Sequence, residues 1–187
     1  MNTPNKLTLF RVILIPVYMF FYLFNTTWSL CAALFVFILA SWTDRLDGHI
    51  ARKYNMVTTF GKLMDPLADK ILIMSAFICF VEKGIPYVNS AVVMIILARE
   101  LIVTGIRLIA MGENAVIAAS MWGKAKTVSQ FVLCIAVMVF EIADALISGY
   151  TFVFDIATFV LVVVATALTI ISGIDYIWKS RKYITFK

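Results

Sequence analysis

Six long apolar segments alternate with short polar stretches along the 187 residues of the chain. A helix needs about 20 apolar residues to cross the hydrocarbon core of a bilayer. The unbroken apolar part of the second segment, residues 29–42, is too short to do so alone, so we expect its charged end to be partly buried in protein. The apolar runs are continuous, whereas a membrane β-barrel would show short alternating segments. The pattern therefore predicts an all-α, polytopic membrane protein with six transmembrane helices, over residues 6–24, 29–52, 61–81, 88–110, 123–140 and 151–178.

The composition agrees with this class of protein. Hydrophobic residues make up 63% of the chain and charged residues only 14%, whereas a soluble domain averages about 25% charged residues. The mean hydropathy is +0.97. Six spans leave little chain for a soluble domain, so we expect one membrane-embedded domain over residues 1–187.

The basic residues are unevenly distributed. All 16 lysines and arginines except Lys83 lie near the N-terminus, in residues 45–70, in residues 99–126 or in the tail. With six spans these four regions share one side, and the positive-inside rule makes that side, with both termini, cytoplasmic. The charges flank apolar spans and form no basic face, which suits an anionic bilayer surface and argues against nucleic acid as a partner.

A cluster of acidic residues and glycines follows the second predicted span and opens the third. Residues three and four positions apart share a helix face. The spacing defines two such faces, one with Asp44, Asp47, Gly48 and Ala51, the other with Gly61, Asp65 and Asp69. If the two helices pack together, four carboxylates converge and need cations to offset their repulsion. Such hard oxygen ligands select Mg²⁺, Mn²⁺ or Ca²⁺ rather than zinc. The alternative, two helix ends with solvated charges, leaves the shared faces and the paired glycines unexplained.

The full pattern, D-x2-D-G-x2-A-R-x8-G-x3-D-x3-D, resembles the signature of the CDP-alcohol phosphotransferases, and every fixed position is present. The resemblance implies transfer of a phosphatidyl or similar group from a CDP-linked donor to an alcohol, with release of CMP. It implies two divalent cations, Mg²⁺ or Mn²⁺, and a general base at Asp69. The implied metal ligands are Asp44, Asp47, Asp65 and Asp69, and the implied CDP-binding residues are Asp47, Gly48, Ala51, Arg52 and Gly61.

Further basic and polar residues are candidates for the acceptor site. Cations beside a metal site suit an acceptor that carries its own phosphate, and the candidates are Arg99, Thr104, Arg107, Lys124 and Lys126. The alternative is that they are ordinary positive-inside charges. A second group, Asn5, Thr8 and Arg11, lies on one face of the first helix. It either closes the nucleotide or acceptor pocket or supplies a helix cap and an interfacial cation. We also expect Glu100 to pair with Arg99 or Arg107. Asp175 is left unassigned, with pairing to a basic residue as one option.

Four further runs narrow the resemblance within the family: P-N-K-L-T-L-F-R, A-R-E-L-I-V-T-G-I-R, G-K-A-K-T and S-G-I-D-Y. They resemble bacterial members that transfer the phosphatidyl group of CDP-diacylglycerol to sn-glycerol 3-phosphate. The resemblance implies a homodimer in the bacterial plasma membrane, with its active site facing the cytoplasm. Two alternatives stay open. One is another acceptor, such as inositol phosphate, serine or phosphatidylglycerol. The other is a cation transporter, which the lack of an internal repeat disfavours.

Overall fold

The computed structural model describes residues 3–53, 59–112, 120–147 and 151–181. Side chains are described over 9–43, 70–107, 120–147 and 151–181, and at Ala68 and Ala110. Within these residues the protein has six α-helices and no β-strand, so the all-α class is confirmed. The helices are α1 (Thr3–Phe24), α2 (Thr27–Lys53), α3 (Thr59–Glu82), α4 (Ser90–Gly112), α5 (Met121–Leu146) and α6 (Thr151–Ser180).

Polar side chains between the apolar segments mark where helices begin. The Asn89 side-chain oxygen accepts a hydrogen bond from the backbone N–H of Val92 at 3.0 Å, just before α4. Ser120 Oγ accepts one from the N–H of Gly123 at 3.1 Å, just before α5. The first N–H groups of a helix have no partner within it, so such a cap stabilises the start by about 1 kcal/mol.

The fifth helix is longer than its hydrophobic pattern predicts. The sequence predicts an end near Phe140 followed by a loop over residues 141–150, but α5 continues to Leu146, so a loop at 141–146 is wrong. The physical reason lies at Glu141, whose carboxylate accepts hydrogen bonds from Tyr22 and Lys83. A carboxylate with two such partners is tolerated inside a packed helix.

The chain divides into two structural units, and each is described by itself. The first comprises Met1–Lys83 and Val137–Thr151, and the second comprises Gly84–Ala136 and Phe152–Lys187. The single domain expected over residues 1–187 stays a prediction.

In the first unit, α1 packs against both α2 and α3, and α2 packs against α3. Aromatic side chains fill the space between them. The rings of Tyr18 and Phe37 lie 5.5 Å apart, as do those of Tyr22 and Phe80. Each such pair stabilises by about 0.5–1.5 kcal/mol beyond its buried area. This core fixes α2 and α3, the two helices that carry the acidic motif, as neighbours.

In the second unit, α4, α6 and the first part of α5 are held by a mixed apolar and polar interior. Val103 and Ile106 of α4 form a buried cluster with Tyr176 of α6. Gln130 of α5 donates a hydrogen bond to Thr169 Oγ1 of α6 at 3.0 Å, and both side chains are buried. Buried polar groups are stable only when they are hydrogen-bonded, so this pair also fixes the register of α5 on α6.

Among the described residues, α5 and α6 are long and apolar enough to cross a membrane. Their 26 and 30 residues exceed the roughly 20 that a span requires. Shorter apolar helical segments lie at Leu9–Phe24 and Thr27–Thr43. Large apolar side chains such as Phe35 and Phe152 point outward with 66% and 75% exposure, which suits contact with lipid. The count of six spans and the cytoplasmic termini stay predictions.

Candidate active site

The acidic motif lies on two helices that pack against each other. The backbone is helical from Asp44 to Lys53 in α2 and from Gly61 to Asp69 in α3, and α2 contacts α3. The side chains predicted to bind metal and CDP lie outside the described side chains, so their convergence stays a prediction; these are Asp44, Asp47, Gly48, Ala51, Arg52, Gly61, Asp65 and Asp69.

The residues of this motif fit a divalent cation site by their chemistry. Four carboxylates occur within 26 positions on two neighbouring helices, and Mg²⁺ and Mn²⁺ prefer oxygen ligands of this kind. Among the described side chains no group of three or more His, Cys, Asp or Glu residues could hold a metal, and the four aspartates are not in that set.

Of the three pocket-closing candidates at the start of α1, only Arg11 has a described side chain. The side chains of Asn5 and Thr8 lie outside the described residues. Arg11 is completely buried within the first unit, and α1 packs on both motif-bearing helices. Arginine is almost never fully buried unless it is paired.

Two of the acceptor-site candidates meet at one carboxylate. Arg99 Nη1 donates to Glu100 Oε1 at 3.1 Å, and the Lys126 ammonium donates to the same oxygen. The exposed fractions of these three side chains are 11% for Arg99, 9% for Glu100 and 6% for Lys126. Two cations share one carboxylate, so these three described side chains together carry a net charge of +1 in a mostly buried position.

One nitrogen of Arg99 is still available. Its Nε is buried and makes no hydrogen bond to any described residue. A buried donor left without a partner costs about 1–3 kcal/mol. An anionic ligand would satisfy both this donor and the net positive charge of the cluster.

A second layer of hydrogen bonds supports Lys126. Its ammonium also contacts Gln130 Oε1 at 3.4 Å, and Gln130 in turn donates to Thr169 Oγ1. Thr169 donates to the backbone carbonyl of Ala165 at 2.6 Å. The chain of contacts runs from α4 through α5 to α6, so the cationic cluster is attached to three helices.

Arg107 and Thr104 make different contacts. The Arg107 Nε donates to the Tyr176 hydroxyl at 3.2 Å, and the guanidinium carbon lies 5.4 Å from the centre of that ring. Thr104 Oγ1 donates to the Glu100 carbonyl, one turn earlier in α4, at 2.7 Å. Arg107 is exposed, unlike Arg99. Both arginines nevertheless approach α6, Arg107 at Tyr176 and Arg99 at Gly173.

Lys124 lies apart from this cluster. It is exposed and lines an apolar groove of about 460 Å³ on α5 and α6. Residues two positions apart in a helix point in different directions, which explains why Lys124 and Lys126 have different surroundings.

Sequence reasoning missed several partners in this unit. It expected Glu100 to pair with an arginine, which is confirmed for Arg99, but Lys126 was not expected as a second partner. The pairing of Asp175 with a basic residue is confirmed, since Lys179 lies 2.7 Å away. The roles of Gln130 and Tyr176 had no local signal, because each depends on contacts across helices.

Helices with outward apolar faces, two of which pack together and carry the acidic motif, define the class of protein: an all-α protein whose surface suits a membrane. The family model for CDP-alcohol phosphatidyltransferase matches residues 1–171, and the chain belongs to this family.

Curated relatives in several bacteria resemble the chain over almost its whole length. A CDP-diacylglycerol–glycerol-3-phosphate 3-phosphatidyltransferase of Bacillus subtilis (strain 168) is 38% identical, with 96% of this chain and 95% of the relative covered. A protein with the same name in Rickettsia felis is 37% identical, with 97% of each chain covered. Another in Haemophilus influenzae is 34% identical, with 94% of this chain and 91% of the relative covered.

Proposed function

We propose that the protein transfers the phosphatidyl group of CDP-diacylglycerol to sn-glycerol 3-phosphate, giving phosphatidylglycerophosphate and CMP. The observation that carries this proposal is the match over nearly the full length of both chains to relatives named for that reaction. A partial match would support the family alone. Here both the CDP-alcohol motif and the acceptor-side runs fall inside the matched length.

The motif residues would have the following roles. The hydroxyl oxygen at C1 of glycerol 3-phosphate attacks the phosphorus that carries the diacylglycerol. The bond from that phosphorus to the bridging pyrophosphate oxygen breaks, and CMP leaves. Asp69 accepts the hydroxyl proton as general base. Arg52 makes a charge-assisted contact to the phosphates, and Gly48 and Gly61 allow the nucleotide to approach the backbone.

Four aspartates, Asp44, Asp47, Asp65 and Asp69, would hold two divalent cations, Mg²⁺ or Mn²⁺. Bound there, the cations would neutralise charge on the pyrophosphate and at the attacked phosphorus. Phosphoryl-type transfer needs chiefly positioning and charge neutralisation from the protein. The protein must therefore also position the acceptor, and the groups that bind the acceptor phosphate do this.

On the acceptor side, Arg99 is the residue for which the contacts give most support. Its buried Nε makes no hydrogen bond to a residue in the described part of the chain, and with Glu100 and Lys126 it forms a group of net positive charge. Arg107 is exposed and would add a second contact to the phosphate. Lys126 is already bonded to Glu100, so we assign it to holding the cluster, and Lys124 to the exposed surface.

We further propose that the six helices all cross the bacterial plasma membrane, with both termini and the motif on the cytoplasmic side. The helices have 22 to 30 residues, which at 1.5 Å per residue gives about 33–45 Å. The positive-inside distribution of lysine and arginine sets the direction. The family resemblance implies a homodimer, which cross-linking in native membranes would test.

The test is CMP release by purified protein in lipid–detergent micelles that contain CDP-diacylglycerol. We expect release that depends on glycerol 3-phosphate and on Mg²⁺ or Mn²⁺. A parallel panel with inositol phosphate, serine and phosphatidylglycerol examines the other acceptors. Faster turnover with any of them would overturn the assigned acceptor and leave the family intact.

The motif is tested by replacing each of the four aspartates with asparagine, one at a time. We expect near-complete loss of turnover, because each carboxylate is either a metal ligand or the base. Membrane insertion and the elution volume in size-exclusion chromatography should match those of the wild type. Asp155→Asn on α6 is a suitable control for loss of one acidic charge elsewhere. Full activity in any of the four variants would remove the role assigned to that residue.

A further inference from the structure

The side chain of Arg99 lies next to two glycines on neighbouring helices. A Cβ atom at Gly173 of α6 would lie only 3.1 Å from Arg99 Cγ, and one at Gly123 of α5 would lie 3.9 Å from Arg99 Nη2. The first distance is tighter than ordinary van der Waals contact, whereas the second is not. The stem of the arginine therefore uses space that exists only because position 173 has no side chain.

The other end of the same side chain is fixed. Arg99 Nη1 bonds to Glu100, and Glu100 is bonded in turn to Lys126. An arginine with a free end could swing away from an added methyl group at little cost. With its end held, a displacement of the stem must turn the guanidinium, and its Nε turns with it.

We propose that Gly173 is a positioning residue for acceptor binding: its missing side chain lets Arg99, held at Glu100, direct its Nε at the acceptor phosphate. The proposal rests on the function proposed above and extends it to a residue that touches neither substrate nor metal. Gly173 acts through Arg99, and Glu100 makes the arrangement stiff enough for a small steric change to matter.

The experiment compares Gly173→Ala with Gly105→Ala. Both glycines lie inside helices, so both substitutions change helix propensity alike, but a Cβ at Gly105 meets nothing within 4 Å. A shift of a few tenths of an ångström at Arg99 weakens its charge-assisted hydrogen bond to the acceptor phosphate, so it should raise the KM for glycerol 3-phosphate about three- to tenfold. We expect the KM for CDP-diacylglycerol and the kcat to change less than twofold. Gly105→Ala should match the wild type in all three.

A purely structural role for Gly173 predicts a different pattern. It would lower kcat and raise both KM values together, and that result would overturn the proposal. An unchanged KM for glycerol 3-phosphate would overturn it equally.

A second measurement tests whether Gly173 acts through Arg99, and it does not need activity. In the wild-type background we expect Gly173→Ala to lower the thermal midpoint relative to Gly105→Ala. In an Arg99→Ala background, which removes the Cγ, the two glycine variants should shift the midpoint equally. An undiminished difference in that background would mean that the alanine clashes with something other than Arg99.

Failure of the proposal differs from failure of the proposed function. If wild-type protein releases no CMP with glycerol 3-phosphate, the function is wrong, and Gly173 then has no acceptor to position. If the wild type turns over and Gly173→Ala is indistinguishable from Gly105→Ala, the function stands and only the positioning role is wrong.

Discussion

Replacing Glu100 by glutamine should destabilise the second unit more than removal of a single charge usually does. The carboxylate holds both Arg99 and Lys126 at one oxygen, and all three side chains are mostly buried. Glutamine keeps nearly the same shape and can still accept one hydrogen bond. The variant therefore isolates the negative charge.

The magnitude follows from the geometry. Two cations that contact the same oxygen lie about 5 Å apart, and unit charges at that distance repel by about 3 kcal/mol at an effective dielectric constant of 20. Glutamine removes the negative charge that offsets this repulsion, so we expect a loss of about 2–3 kcal/mol. For a chain of this size each kcal/mol shifts the midpoint by about 2–4 °C. The thermal midpoint should thus fall by about 5–10 °C.

The assay can use the cysteines of the chain. Cys79 and Cys134 are buried and Cys31 is exposed, so a thiol-reactive fluorophore reports unfolding once Cys31 has been replaced by serine. Asp144→Asn is the matched control, because Asp144 accepts one exposed hydrogen bond from Thr151 that asparagine can also accept. We expect no shift for the control. A midpoint for Glu100→Gln within about 1 °C of the wild type would refute the reasoning, since the Glu100 charge would then not be what holds the two cations together.

Three further predictions concern separate parts of the chain. Arg107→Ala should raise the KM for glycerol 3-phosphate more than the KM for the lipid donor. Tyr176→Phe should have the same effect but a smaller one, because it removes only the hydrogen bond that orients Arg107. Equal effects on the two KM values would contradict this prediction. Lys83→Met should lower the thermal midpoint by several degrees, since it breaks the partly buried pair with Glu141. It should leave kcat unchanged below the midpoint, because Lys83 directly follows the end of α3, which lies about 20 Å along the helix axis from Asp69; a large fall in kcat would show that this end also serves the reaction. Chelation with EDTA should abolish CMP release, and Mg²⁺ or Mn²⁺ should restore it; activity that survives exhaustive chelation would exclude the metal role of the aspartates.

Much of the fold was predictable because long apolar helices leave a simple pattern in the sequence. Each predicted helix contains an apolar run, and polar residues such as Asn89 and Ser120 mark where helices begin. The continuation of the second helix through Asp44 to Lys53 was also predictable, since the motif positions repeat at helical spacing. The pattern failed at Glu141. A charged residue normally ends an apolar span, and the sequence around Glu141 does not reveal that Tyr22 and Lys83 pair with it from distant positions.

The sequence by itself determined the family, the acidic motif and which basic residues are candidates for the acceptor site, because these depend on residue types at fixed local spacing. Only the tertiary structure decided what each of those basic residues contacts. It bonded Lys126 to Glu100, left Arg99 Nε without a hydrogen bond to any described residue, and turned Lys124 outward. Gly173 belongs to the same group, since its proximity to Arg99 joins residues 74 positions apart. The physical reason is that burial and pairing are set by the packing of helices, and local spacing along the chain carries no record of which helices meet.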